Sequence, residues 1–144
     1  MMFATEDELR LVAEGLMRRT LPKPAWTHAA HVAAAVWITA RCPGVVPERD
    51  MPGFIRAFNT ATGVANSDSG GYHATITLAA LRATAWFLAA RPAVPLPEAC
   101  NALLASAVGR RGWMAAHWSD ALLWSVAARR AWVAPDRAPL PWGP

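Results

Sequence analysis

The chain has 144 residues, 54% of them hydrophobic and 17% charged. That is enough for one domain with its own core, and it excludes a disordered chain. The formal net charge of +4 is carried almost wholly by arginines; they are scattered, with no basic stripe interleaved with aromatics, which points away from nucleic acid and suits a small anionic substrate.

Taken in chain order, Thr5-Glu6-Asp7-Glu8 is a capping box, with Thr5 at the N-cap. Leu9, Val12, Leu16 and Met17 then recur at helical spacing. Arg18-Arg19 suits the C-terminal end of the dipole, and Pro22 and Pro24 stop the helix. Thr27 is the next N-cap candidate and opens a helix predicted over His28 to Arg41, closed by Pro43-Gly44. A connector follows from Pro43 to Pro47. A third helix is predicted over Met51 to Ala61, with Phe54, Ile55 and Phe58 on its apolar face.

The most polar loop is Asn66-Ser67-Asp68-Ser69-Gly70-Gly71. A fourth helix is predicted from Tyr72 to about Ala90; its apolar run is shorter than the ~20 residues that a membrane span requires. Pro97 suits the first position of a fifth helix that ends at Gly109. Trp113 to His117 forms a short turn, and Ser119 and Ser125 read as N-caps of short C-terminal helices. From 132 to 144 the prolines Pro135, Pro139, Pro141 and Pro144 forbid regular helix and leave an extended tail. No second domain, repeat or strand is indicated. The expected architecture is therefore all-α: a single domain, residues 1–144, of five to seven helices around an Ala/Leu/Val/Trp core.

The two cysteines, Cys42 and Cys100, form no CxxC and read as buried free thiols. Glu6, Asp7 and Glu8 interrupt the start, so no signal peptide is expected, and the expected location is the cytoplasm. Most of the eight tryptophans are expected in the core. A homodimer is left open.

Three of the four histidines fall in two segments almost without charge: His28 and His31 in Trp26-Thr27-His28-Ala29-Ala30-His31, and His73 in Gly70-Gly71-Tyr72-His73-Ala74-Thr75-Ile76-Thr77. Residues three apart share one side of a helical turn. Histidine is the commonest metal ligand, and three protein ligands with one open position is the pattern of a catalytic zinc site. One expectation is thus that His28, His31 and His73 converge on a divalent metal. A second is metal-free catalysis: imidazoles kept neutral at helix starts take a proton from a bound acid. Glycine amides and threonine hydroxyls would hold the anion. The third is structural, each imidazole being hydrogen-bonded where it stands. His117 lies outside both segments and is a further candidate ligand.

Around these residues the chain resembles a family of small uncharacterised bacterial helical proteins. The shared pattern is W-T/S-H-x-x-H, F-N, N-x-x-x-x-G-Y-H-E-T-x-T and a closing W-V-x-P-D-x-x-P-L-P. Here it reads Trp26-Thr27-His28…His31, Phe58-Asn59, Asn66…Gly71-Tyr72-His73-Ala74-Thr75…Thr77 and Trp132-Val133-Ala134-Pro135-Asp136…Pro139-Leu140-Pro141. The resemblance implies a cluster of histidine, asparagine, tyrosine and threonine. Ala74 stands where that pattern has glutamate, so a natural extra ligand or base is missing.

The resulting expectation is a pocket in which His28, His31, His73 and Tyr72 are catalytic. Trp26, Asn59, Asn66, Thr75 and Thr77 would contact a small anionic metabolite. The reaction would be a metal-assisted lyase, cyclase or hydrolase step. The alternatives are a metal-free histidine enzyme, a non-catalytic ligand-binding protein, or an interaction module that docks a partner through exposed tryptophans.

Overall fold

A computed structural model describes residues 2–144. Among the described residues there are seven α-helices, α1 (Glu6–Arg18), α2 (His28–Arg41), α3 (Pro47–Ala61), α4 (Ala74–Ala89), α5 (Leu96–Ala105), α6 (Asp120–Leu123) and α7 (Val126–Arg130), and two short 3-10 helices, Lys23–Ala25 and Trp113–Ala116. Among the described residues there is no strand, so the chain is an all-helical single domain. No described helix is long and apolar enough to cross a membrane.

Local chemistry sets the helix starts. The Glu8 amide donates to Thr5 Oγ1 at 3.2 Å, and the Glu8 carboxylate reaches back to the Ala4 amide at 3.1 Å. Thr27, Ser119 and Ser125 each accept an amide hydrogen from three residues on, those of Ala30, Leu122 and Ala128. Such caps satisfy donors that the helix leaves open and contribute about 1 kcal/mol each.

α4 starts two residues later than expected, at Ala74, and two boundaries differ more. α3 begins at Pro47, not Met51, because Pro47 occupies the first helical position and Asp50 Oδ2 accepts the Val46 amide at 2.9 Å. α5 ends at Ala105, not Gly109. Ser106 turns extended, and both its amide and its hydroxyl donate back to the Leu103 carbonyl, at 3.0 and 2.8 Å. A single serine thus satisfies the open helix end twice.

α2 is central and packs against α1, α3, α4 and α5. It can do so because Ala30, Ala33, Ala34 and Ala35 are all buried, and small side chains let neighbouring backbones approach closely. α1 is amphipathic, with Leu9, Ala13 and Leu16 fully enclosed; each leucine contributes about 1.5–3 kcal/mol on burial. α4 is apolar on most sides and meets α2, α3, α5 and α7.

The tail is part of the core despite being non-helical. Trp118 is fully buried, and its indole nitrogen donates to the Val133 carbonyl at 3.1 Å. Thr75, fully buried in α4, donates to the Ala131 carbonyl and accepts the Val133 amide. Asp136 accepts both the amide and the hydroxyl of Ser119, at 2.7 and 2.6 Å. Leu140 is buried beside Trp113 and Trp118 in the larger of two core clusters. The tail therefore closes over the α4 and α6 end of the bundle.

Candidate functional site

The three histidines stand where the sequence places them, at the openings of α2 and α4, and each imidazole is held by a different carbonyl. His28 Nε2 donates to the Gly109 carbonyl at 2.8 Å, joining the start of α2 to the loop after α5. His31 Nδ1 donates to the Thr27 carbonyl at 2.6 Å, and the ring stacks on Trp26 with centroids 3.7 Å apart. Trp26 in turn meets Phe58 at 5.6 Å.

His73 is the N-cap of α4. Its Nδ1 accepts the Ile76 amide at 3.1 Å, and its Nε2 lies 2.6 Å from the Leu123 carbonyl. The first bond requires a bare Nδ1 and the second a protonated Nε2, so the geometry selects one neutral tautomer. Burial pushes the pKa of His73 down, and the charge of Arg129 acts in the same direction. The pKa of His31 is also lowered, first by the hydration lost on the ring face against Trp26, while the side chain as a whole stays exposed. His117 Nδ1 meets the Ala138 and Pro139 carbonyls, 3.2 and 3.1 Å away, in the tail.

Among the described residues no group of three or more His, Cys, Asp or Glu side chains is placed to hold a metal ion. The expected set of His28, His31 and His73 around a divalent metal is therefore not assembled; one nitrogen of each ring meets a main-chain carbonyl instead, at residues 109, 27 and 123. Thr75, expected to contact substrate, is spent on the tail. Trp26 is spent on His31 and Phe58.

The rest of the predicted set does come together, at the loop between α3 and α4. Asn66 Oδ1 accepts from Asn59 Nδ2 and from the Tyr72 amide, both at 3.0 Å, while its Nδ2 donates to the Arg56 carbonyl at 3.1 Å. Gly71 makes this fit possible. Its φ is +77°, and a Cβ there would lie 2.4 Å from the Ala65 carbonyl oxygen and 2.8 Å from Asn66; only glycine tolerates both conditions at once.

Next to this loop lies a cleft of about 220 Å³, lined by Arg56, Asn66, Asp68, Tyr72, Arg129 and Arg130 among others. The Arg56 guanidinium sits 4.5 Å above the Tyr72 ring centre, a cation–π arrangement that holds the charge over the cleft wall. Arg129 Nη1 donates to the Gly71 carbonyl at 3.2 Å, and its buried Nε has no acceptor among the described residues. Arg130 forms a two-pronged pair with Asp68, Nε to Oδ1 at 2.9 Å and Nη2 to Oδ2 at 2.6 Å. Burial raises the pKa of Tyr72, opposed by the charge of Arg56 and by the Thr77 hydroxyl. The phenol thus stays protonated through the neutral range and is available as a hydrogen-bond donor.

A larger groove of about 600 Å³ runs along the tail, walled by Trp132, Trp142 and prolines. Its polar groups are already engaged. Arg82 pairs with Glu48 at 3.0 Å and covers the Trp132 ring at 4.4 Å. Asp136 is held by Ser119, and Arg137 donates to the Ala115 carbonyl. A recognition site needs a few convergent polar groups as well as volume, which places the arginine cleft ahead of the groove.

Sequence reading missed the arginines. Arg129-Arg130 reads as a helix-end pair satisfying the dipole of α7, which it also does. Its second role depends on partners 58 and 62 residues away, Gly71 and Asp68, and local pattern carries no such signal. The available hint was the polar loop itself, whose Asp68 lacked any nearby basic partner in sequence. In comparisons with known proteins, no family model, no curated protein and no solved structure matches the chain.

Proposed function

We propose that the protein binds a small anionic metabolite in the cleft between the α3–α4 loop and α7. The observation that carries this reading is the charge of the cleft: Arg56, Arg129 and Arg130 against the single carboxylate of Asp68. Guanidinium groups recognise carboxylate and phosphate through two parallel hydrogen bonds. The volume of about 220 Å³ is below that of pockets for drug-sized molecules, so the ligand is a compact one. Tyr72 adds a neutral hydrogen-bond donor in the wall, and Asn59 and Asn66 hold the loop that frames the opening.

Binding is favoured over metal-assisted chemistry because, among the described residues, no three His, Cys, Asp or Glu side chains are grouped to hold an ion. Tyr72, held protonated, can donate a hydrogen bond to a bound anion. Calorimetric titration with inorganic phosphate and with succinate at low salt tests the proposal, with Arg56→Gln as the control. Arg56 is exposed, so its replacement spares the core. The expected result is saturable binding by the wild type, weakened about tenfold by Arg56→Gln, the usual order for one charge-assisted bond. Absence of binding, or equal binding by the variant, would overturn it.

A further inference from the structure

We infer that Asp68 is a resident stand-in for the ligand, occupying Arg130 until an incoming oxyanion replaces it. This rests on the anion-binding reading above and adds to it a displacement step and a ligand class. The Asp68–Arg130 contact has the fork geometry that a free carboxylate or phosphate would adopt on the same guanidinium, with two bonds of 2.9 and 2.6 Å. Both side chains are well over one-third exposed, Arg130 at 67% and Asp68 at 53%. A pair so exposed contributes little to stability, and its release is correspondingly cheap.

The loop that carries Asp68 can let it go without losing its shape. Its turn is closed by the Ser67 amide on the Gly70 carbonyl at 2.9 Å, and its base by the three bonds of Asn66. None of these involves the Asp68 carboxylate. Swinging that side chain outward therefore leaves the frame of the cleft in place.

Charge then selects the ligand. With Asp68 in place the three arginines carry two uncompensated positive charges; with Asp68 displaced they carry three. A compact dianion, such as a phosphate monoester or a small dicarboxylate, can take Arg130 while keeping Arg129 and Arg56. Three facing positive charges, once Asp68 has swung away, favour a dianion over a monoanion.

The test is a double-mutant cycle with inorganic phosphate as probe, at fixed low ionic strength, read by calorimetry. Asp68→Asn should bind phosphate about two- to fivefold more tightly than the wild type, since only an exposed pair is being relieved. In the Arg130→Gln background the same change should give no gain. Unchanged or weaker binding by Asp68→Asn overturns the inference. So does a gain that survives in full without Arg130, which would mean a general charge effect. If wild type and Asp68→Asn both fail to bind phosphate, the anion-site reading itself falls and this one with it; if the wild type binds and Asp68→Asn does not improve on it, displacement alone is lost.

Discussion

His73 and Leu123 are joined by a 2.6 Å bond between an imidazole nitrogen and a main-chain carbonyl, across 50 residues of sequence. The same ring caps α4 through its other nitrogen. One side chain therefore starts a central helix and fastens α6 to it, and the capping bond requires a ring with Nδ1 unprotonated.

A pH dependence follows. The folded-state pKa of His73, a buried side chain, lies below the ordinary value of 6.5, first because of burial. Between the folded value and 6.5 the unfolded chain binds more protons, so stability falls as pH falls. The contribution is fully present above about pH 6.5 and is lost below it. Urea unfolding midpoints should therefore decline between pH 7 and pH 5, and His73→Asn should flatten part of that decline. At pH 7.5, His73→Ala should cost about 2 kcal/mol or more, from the lost cap and the abandoned Leu123 carbonyl. A midpoint that stays level from pH 7 to pH 5 would contradict the assignment.

Thr75 offers a second check, because Thr84 on the same helix provides its control. Thr75 donates to Ala131 and accepts from Val133 in the tail, whereas Thr84 donates to the Ala80 carbonyl of its own helix, at 2.8 Å. Both side chains are buried. Replacement by valine keeps the shape and removes the hydroxyl. Thr75→Val should cost about 2–3 kcal/mol by orphaning two tail groups; Thr84→Val should cost under about 1 kcal/mol. Denaturant melts of the two variants compare them directly, and equal losses would refute the role given to Thr75.

The cysteines should differ in reactivity. Burial pushes the Cys100 thiol up to about 12, and the residue is fully enclosed, whereas Cys42 is partly exposed. Because the thiolate is the reactive form, the native protein at pH 8 should label one thiol quickly with a disulfide reagent and release the second only in denaturant. Peptide mapping should place the first label on Cys42. Two fast equivalents in the native state would mean that the core around Cys100 opens readily.

How much of this was legible in the sequence depends on the range over which each force acts. Thr5, Thr27, Ser119 and Ser125 are caps by virtue of neighbours three residues away, and all four were readable. The period of α1 likewise announces its buried face. His73 was marked as important, yet its capping role was not apparent, because histidine is not among the preferred cap residues. Its partner Leu123 belongs to a helix whose position only the fold decides. Asn59, Asn66 and Tyr72 lie together, joined through the Asn66 side chain, because they flank one loop. Arg56, Arg129 and Arg130 were not, since they reach that loop from two different helices.

The fastening of the last segment also bears on how the chain is made. The hydroxyl of Thr75 and the indole nitrogen of Trp118 find their acceptors only at residues 131 and 133. During synthesis both groups leave the ribosome well before those acceptors do. The bundle can collapse before then, but those two buried groups lack their acceptors until the segment after α7 is laid across them.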